Sequence, residues 1–265
     1  MKNGQDGRPL RVVVIGAGMS GILCGIRLNQ EGIDDWTIYE KGPRLGGTWH
    51  WNRYPGLSCD IPSHVYSYSF ALNPDWTRKY SGGPEIQAYF QKVADAHRIT
   101  PRIIFNAEIT DCVYENGRWH LKTADGRADS ADVVICATGI LHHPRLPDIE
   151  GLDSFAGPAF HSAGWPDDLD LSDRRVGIVG TGSTAVQIVS AVVDEAAEMH
   201  LFQRTAQWIW PEANADYSED EKVRFREDPA GLRHLHNRMR ELIAERFSNA
   251  LVDAGSEAMA TIEEA

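Results

Sequence analysis

Two stretches of the 265-residue chain repeat the same residue types at the same spacing, and both types suit the holding of a diphosphate. In the first, an apolar run ending at Ile15 is followed by Gly16, Gly18 and Gly21, the pattern G-x-G-x-x-G. In the second, Val176 to Val179 leads into Gly180-Thr181-Gly182-Ser183-Thr184-Ala185, a G-x-G-x-x-A variant. The first glycine permits a tight turn, the second lets backbone approach a pyrophosphate, and a small third residue lets the helix pack closely. Met19 and Ser20, and in the second copy Ser183, Thr184 and Gln187, fall where a helix begins. Backbone N–H groups and the helix dipole favour an anion there, and hydroxyls and amides can join the cradle. Glu40, with Lys41 after it, lies 24 residues past Gly16; Arg204, with Thr205 after it, lies 24 residues past Gly180. An acid at that place hydrogen-bonds free ribose hydroxyls, and an arginine suits a 2′-phosphate. The spacing therefore proposes two nucleotide sites, one for a dinucleotide without that phosphate and one for a dinucleotide with it.

The elements that would position these residues are legible around them. Leu10 to Ile15 is apolar except for Arg11, as in a strand buried on both faces of a parallel sheet. Ile22, Leu23, Ile26 and Leu28 continue as a helix, and Trp36 to Glu40 reads as the next strand. Pro84 to His97 carries Ile86, Tyr89, Phe90, Val93 and Ala94 at helical spacing. Ile103 to Ile109, Asp111 to Tyr114, Arg118 to Thr123 and Asp132 to Ala137 read as strands, with Asn116-Gly117 a hairpin signal between the middle pair. Pro144, Pro147 and Pro158 stiffen residues 141–175 into a linker. Met199 to Arg204 is the last strand pattern. From Glu219 to Ala265 the pattern is helical, with Leu232, Leu235, Met239, Leu242, Ile243 and Phe247 in one stripe. His234 and His236 are two apart and cannot share a helix face, so no metal site is expected. The fold class expected is α/β, with two dinucleotide-binding, Rossmann-like units and the start of a helical subdomain. The domains expected are 1–140, the linker 141–175, the beginning of a second nucleotide domain at 176–212, and a helical segment at 213–265.

Composition narrows the partners. With 42% hydrophobic and 24% charged residues the chain reads as globular, and a formal charge of −12 argues against nucleic acid or an anionic membrane surface. Phosphates must then be held locally, by helix starts and single arginines. Cys24, Cys59, Cys112 and Cys136 fall in no metal-ligand spacing and read as reduced core thiols. Met1 to Pro9 lacks an apolar signal core and no run is long enough for a membrane span, so a cytoplasmic protein is expected.

Residues 46–60, Gly-Gly-Thr-Trp-His-Trp-Asn-Arg-Tyr-Pro-Gly-Leu-Ser-Cys-Asp, are more specific. Composition alone suggests a glycine turn with aromatics closing over a flat ring. Trp49, Trp51 and Tyr54 could equally be core, and Asp60 could cap a following helix. Taken together they resemble, at every defined position, the long fingerprint of the Baeyer–Villiger monooxygenases, [A/G]-G-x-W-x-x-x-x-[F/Y]-P-[G/M]-x-x-x-D. A second motif of that family, F-x-G-x-x-x-H-x-x-x-[W]-[P/D], matches Phe155 to Pro166 and ends on Trp165-Pro166, which marks the Baeyer–Villiger branch.

The resemblance implies FAD at the first turn and NADPH at the second. It implies FAD contacts from Gly16, Gly18, Met19, Ser20, Gly21, Glu40, Lys41, Gly47, Thr48, Trp49, Asp60, Ile61, Tyr66, Ile109 and the Ala137-Thr138-Gly139 turn. Thr181, Gly182, Ser183, Thr184, Gln187, Arg204 and Thr205 would hold NADPH. His161 would act as a hinge between domains. Asp60 would orient an arginine that stabilises the oxygen-carrying flavin, and no residue here matches that arginine. The implied reaction inserts one oxygen atom of O2 into a small-molecule ketone to give an ester or lactone. N- or S-oxygenation, or a non-catalytic cofactor-binding subunit, are the alternatives. Family members are about twice this length, so the expectation is an N-terminal half, either a fragment of a longer chain or, as preferred here, one polypeptide of a split enzyme whose complement comes from a second polypeptide in a heterodimer.

Overall fold

The first apolar run forms β1 (Val12–Ile15), whose Val13 and Val14 are fully buried, and the chain turns from it into α1 (Met19–Gln30). Strand β2 (Trp36–Tyr39) follows, then a one-turn helix α2 (Thr48–Trp51) and the amphipathic α3 (Gly83–Ala96). The residues α3 buries include Ile86, Tyr89, Phe90, Val93 and Ala94, the stripe read from the sequence. Then come β3 (Ile103–Ile104), β4 (Ile109–Glu115), β5 (Arg118–Thr123), β6 (Ala128–Ala131) and β7 (Val133–Cys136). A second strand–helix–strand unit consists of β8 (Arg175–Val179), α4 (Ser183–Val192) and β9 (Glu198–Phe202). This computed structural model describes residues 7–141, 143–207, 209, 212–245 and 255. Its contacts divide the chain into two units, one of residues 1–57 and 83–207, the other of residues 58–82 and 208–265.

In the first unit a parallel sheet has the order β3-β2-β1-β7, with Val12 paired to both Trp36 and Val133. This is the arrangement a first nucleotide-binding half requires, with the carboxyl ends of β1, β2 and β7 at one edge. The antiparallel sheet β4-β5-β6 lies next in sequence. Its first hairpin pairs Glu115 with Arg118 and places both Asn116 (φ 51°) and Gly117 (φ 81°) in the left-handed region, the two-residue turn expected of Asn-Gly. The expected single strand from Ile103 to Ile109 is corrected: Asn106 takes φ 52° and breaks it into β3 and the start of β4. Asparagine tolerates that conformation better than other side chains, so a polar residue inside an apolar run became a corner. Strand β6 had no sequence signal. It is held by β5 and by Asp129, which accepts hydrogen bonds from Arg11 and from the Tyr39 hydroxyl.

Strands β8 and β9 pair in parallel, and α4 covers them through Ile188 and Val192, against which Val176, Ile178 and Met199 pack. Val179, Leu201 and Phe202 remain 64%, 50% and 57% exposed. Parallel strands are normally covered on both faces, so part of this apolar surface is left open by the described residues. The cysteines differ from expectation as well. All four are free, but only Cys59 is buried, and Cys136, at the end of β7, is exposed. No helix among the described residues is long and apolar enough to cross a membrane.

The second unit holds α5 (Glu219–Glu227) and α6 (Pro229–Ile243) with the segment 58–82. Helix α5 starts in a capping box between Ser218 and Glu221; α6 starts with Asp228 as cap and Pro229 in its first turn. Of the expected stripe Leu232 is buried, Leu235, Met239 and Ile243 are half-buried and Leu242 is exposed, while Phe247 lies outside the described residues. The buried partner of Leu232 on α6 is instead His236, whose Nδ1 lies 2.7 Å from the carbonyl oxygen of His64 and therefore donates to it.

His64 is buried against the rings of Tyr217 and Phe225, and neither of its ring nitrogens has a hydrogen-bond partner among the described residues. Burial first, and His236 second, push its pKa from 6.5 down to about 4. The charged form is thus disfavoured in the fold relative to the unfolded chain. Its contribution to stability is complete above 6.5 and is lost as the pH falls from there through about 4. Acidification from about pH 8 to about pH 5 is expected to remove about 2 kcal/mol of stability through this side chain. Urea denaturation followed across that range checks it. A His64→Phe variant that kept the full acid sensitivity would dismiss His64 as the cause.

Candidate functional site

The first glycine turn is built by close approach. Gly16 (φ 101°) donates from its N–H to the Tyr39 carbonyl at 2.7 Å, and a β-carbon there would stand 2.5 Å from the Ala137 carbonyl oxygen. A β-carbon on Gly21 would stand 1.9 Å from the Gly16 carbonyl oxygen. Gly18 is different: within 4 Å its added carbon would meet only Gly47 among the described residues, at 3.6 Å. The turn is therefore closed underneath by Gly16 and Gly21 and open above at Gly18, where a ligand's phosphates would pass. Helix α1 begins there with no side-chain cap and no acid in its first turn, and Met19 and Ser20 are exposed. Its first N–H groups have no partner within the helix, which leaves them for an anion.

The double glycine of the fingerprint faces this opening. Gly46 donates from its N–H to the Ala17 carbonyl at 2.9 Å, and Gly46 and Gly47 take φ 119° and 55°, placing Thr48 and Trp49 at the start of α2. Ala137, at the end of β7, donates from its N–H to Ile15, with Thr138 and Gly139 following. Glu40 is buried; its carboxylate accepts from the Ala17 N–H at 2.7 Å and the Gly42 N–H at 2.8 Å. It thus braces the turn it was expected to serve as a ribose acceptor, and each oxygen retains a further lone pair. The Lys41 ammonium lies 5.4 Å from the centre of the Trp51 ring. Ile109 starts β4, and its side chain packs against the core cluster that includes Val13 and Tyr39.

Sequence reasoning missed Gln87, which lies on α3 without a motif to mark it. Its Nε2 donates to the Leu45 carbonyl at 2.6 Å, and its buried Oε1 has no hydrogen-bond partner among the described residues. A β-carbon on Gly46 would stand 1.7 Å from that oxygen, so Gln87 shapes the double-glycine turn from below.

The second turn is more open. Gly180 (φ 113°) donates from its N–H to Phe202 at 2.9 Å, and β-carbons on Gly180 or Gly182 would meet nothing within 4 Å among the described residues. Helix α4 also begins without a side-chain cap or a first-turn acid, with Ser183 exposed and Thr184 half-buried. Thr181 Oγ1 donates to the Thr205 carbonyl and accepts from Gln203 Nε2, both at 3.4 Å, which ties residues 203–205 to the turn. Arg204 and Thr205 are exposed, and Arg204 has no ion pair among the described residues. Gln187 Oε1 accepts from the Tyr54 hydroxyl at 3.1 Å. His161 Nδ1 accepts from the Ala163 N–H at 3.1 Å, capping a short turn whose Trp165 packs against the cluster of Tyr54, Leu171 and Ile188.

Asp60, Ile61 and Tyr66 belong to the second unit. Asp60 is exposed and is followed by turns, so it caps no helix; Ile61 and Tyr66 are half-buried. No group of three metal-ligating side chains occurs among the described residues.

Two uncapped helix starts, two glycine turns and an open backbone-lined gap fit two dinucleotides. Comparison with known proteins agrees with that geometry. Residues 13–227 match the family model described as pyridine nucleotide-disulphide oxidoreductase. An uncharacterized monooxygenase of Mycobacterium tuberculosis is 46% identical over 251 residues, covering 95% of this chain and 50% of that protein. A Baeyer–Villiger monooxygenase of Streptomyces coelicolor is 44% identical over 223 residues, 83% of this chain and 43% of the relative. The crystal structure of OTEMO in complex with FAD and NADP superposes with a TM-score of 0.77 at 34% identity, over 86% of this chain and 44% of that one. The chain thus spans about half the length of the curated relatives it matches. It belongs to the pyridine nucleotide-disulphide oxidoreductase family and, as its two fingerprints implied, is similar within it to the Baeyer–Villiger monooxygenases.

Proposed function

We propose that the chain is the FAD- and NADPH-holding part of a Baeyer–Villiger monooxygenase that inserts one oxygen atom of O2 into a ketone, giving an ester or lactone. The observation that carries this reading is the pair of glycine turns ending in opposite charges, Glu40 and Arg204, with the fingerprint loop bonded to the first turn through Gly46 and to α4 through Tyr54. At the first turn the N–H groups of Gly18, Met19, Ser20 and Gly21 hold the FAD diphosphate and Glu40 with Lys41 the ribose. Gly47, Thr48, Trp49, the Ile109 backbone and Ala137 to Gly139 line the remainder, and the fingerprint resemblance adds Asp60, Ile61 and Tyr66 as FAD contacts. At the other turn Thr181 to Thr184, Gln187, Arg204 and Thr205 hold NADPH. FAD held at the first turn would supply the redox chemistry, accepting two electrons from NADPH and activating dioxygen for oxygen transfer to the ketone.

The work of this chain's residues is to orient the two rings and exclude water between them. His161 serves as hinge, and Asp60 orients an arginine from outside the chain. Residues 1–140 make the FAD domain, 141–175 the linker, 176–212 the start of the NADP domain and 213–265 a helical segment. The exposed apolar side chains of β8 and β9 favour a complement that covers them, supplied by a second polypeptide in a heterodimer. A cytoplasmic setting belongs to the same proposal, consistent with four free cysteines.

Fluorescence titration of the purified chain with FAD and with NADPH tests the cofactor assignment, and failure to bind FAD would refute it. With the complement present, a cyclic ketone should drive NADPH oxidation and yield a lactone. Turnover of amines or sulfides in place of ketones would move the assignment to heteroatom oxygenation, and binding without any turnover would leave a cofactor-holding subunit.

A further inference from the structure

We infer that the corner Tyr54-Pro55-Gly56 ties the two nucleotide sites together, so that each cofactor strengthens the binding of the other. The inference rests on the cofactor assignment above. The loop carrying the fingerprint begins in the first cradle, where Gly47 lies against Gly18, and ends on α4, the helix whose first turn forms the second cradle.

Three contacts fasten that second end. The Tyr54 hydroxyl donates to Gln187 Oε1 at 3.1 Å, one turn into α4. Gly56 (φ 76°) lies so close to the helix that a β-carbon would stand 2.4 Å from the Gln187 carbonyl oxygen and 3.0 Å from the Ala191 methyl. The Tyr54 ring itself is buried in a cluster with Leu171, Ile188 and Val192. Between the two ends lie only α2 and the residues Asn52 and Arg53. A shift of α4 relative to the first sheet therefore moves the double glycine that lines the flavin cradle, unless these contacts break.

A phosphate held at the start of α4 fixes that helix, and through the corner it fixes Gly47 in the position that faces Gly18. The ordering is then already in place when FAD binds, which is positive coupling without new contacts to FAD. Linkage requires the effect to be reciprocal and of equal size. Gln187, assigned to the NADPH cradle, is through its Oε1 also the helix-side anchor of the loop. Neither Tyr54 nor Gly56 lies in the FAD cradle, so replacing them separates coupling from FAD binding.

The test is FAD titration of the full chain by flavin fluorescence, with and without saturating NADP+, together with the converse NADP+ titration. In the unaltered chain NADP+ should tighten FAD about tenfold, and FAD should tighten NADP+ by the same factor. Tyr54→Phe, which removes one hydroxyl at constant shape, should cut that factor to about threefold, and Gly56→Ala should bring it close to one. In both variants FAD alone should bind within about threefold of the unaltered chain. Should Gly56→Ala lose its far-ultraviolet circular dichroism, Tyr54→Phe carries the test alone. A factor of one in the unaltered chain, or an unchanged factor in Tyr54→Phe, overturns the inference while leaving the cofactor assignment intact. A chain that binds neither cofactor overturns the assignment itself, and the coupling with it.

Discussion

Replacing Gly21 with alanine is expected to weaken FAD binding by about a thousandfold or more, whereas Ala185→Gly at the matching place of the second turn should alter NADP+ binding less than about threefold. The two turns share a motif, but their geometry differs. At Gly21 an added carbon would overlap the Gly16 carbonyl oxygen at 1.9 Å, and that oxygen cannot retreat. Gly16 is held by its N–H on Tyr39 at 2.7 Å and already lies against the Ala137 carbonyl. The conflict is between two backbones, so no rotamer relieves it, and the start of α1 must move outward. The N–H groups that would hold the diphosphate move with it. In the second turn the same place already carries a methyl group: Ala185 is buried, and the turn above it is open around Gly180 and Gly182. Removing that methyl costs only the modest helix penalty of glycine, about 1 kcal/mol. Flavin fluorescence titration of both variants, with circular dichroism as the control for folding, measures the contrast. FAD affinity within about tenfold in Gly21→Ala would mean that the turn is less constrained than its contacts imply.

The same contrast shows what the sequence could convey. Motif spacing located both turns, since glycines and a charge at a fixed distance reflect a strand, a turn and a helix of nearly constant length. Periodicity located α3, and Asn116-Gly117 located the hairpin, because each signal is local. What escaped was fixed by partners far along the chain. Strand β6 depends on pairing with β5 and on Arg11 reaching Asp129 across 118 residues. His64 meets the side chain of His236 across 172 residues, so the grouping of segment 58–82 with α5 and α6 had no local mark. Within the site, the distance from Gly16 to Glu40 was legible, but not that the Glu40 carboxylate also braces Ala17 and Gly42. Gln87 and the bond from Tyr54 to Gln187 were invisible for the same reason: a helix surface position reveals nothing of the loop that will settle on it.

Replacing Arg204 with alanine should weaken NADPH binding about a hundredfold or more and leave NADH within about threefold, because the residue's only new partner would be the 2′-phosphate. The environment favours that role. Arg204 is exposed, has no ion pair among the described residues, and follows β9 on a segment tied to the glycine turn through Thr205 and Gln203. Its backbone is thus partly positioned before a ligand arrives, while its charge has no ion-pair partner among the described residues. The formal charge of −12 adds force to the argument, since the surrounding field opposes a phosphate unless a cation stands beside it. Arg204→Lys should recover part of the loss, as a point charge replaces a planar fork able to make two parallel hydrogen bonds. Added salt should narrow the gap between NADPH and NADH in the unaltered chain and have little effect on it in Arg204→Ala. Calorimetric titration of both nucleotides at low and high salt gives all of these quantities. Equal losses for NADPH and NADH would reduce Arg204 to a solvated strand end, and the selectivity for the 2′-phosphate would then have to come from residues other than the one the spacing and the open turn both indicate.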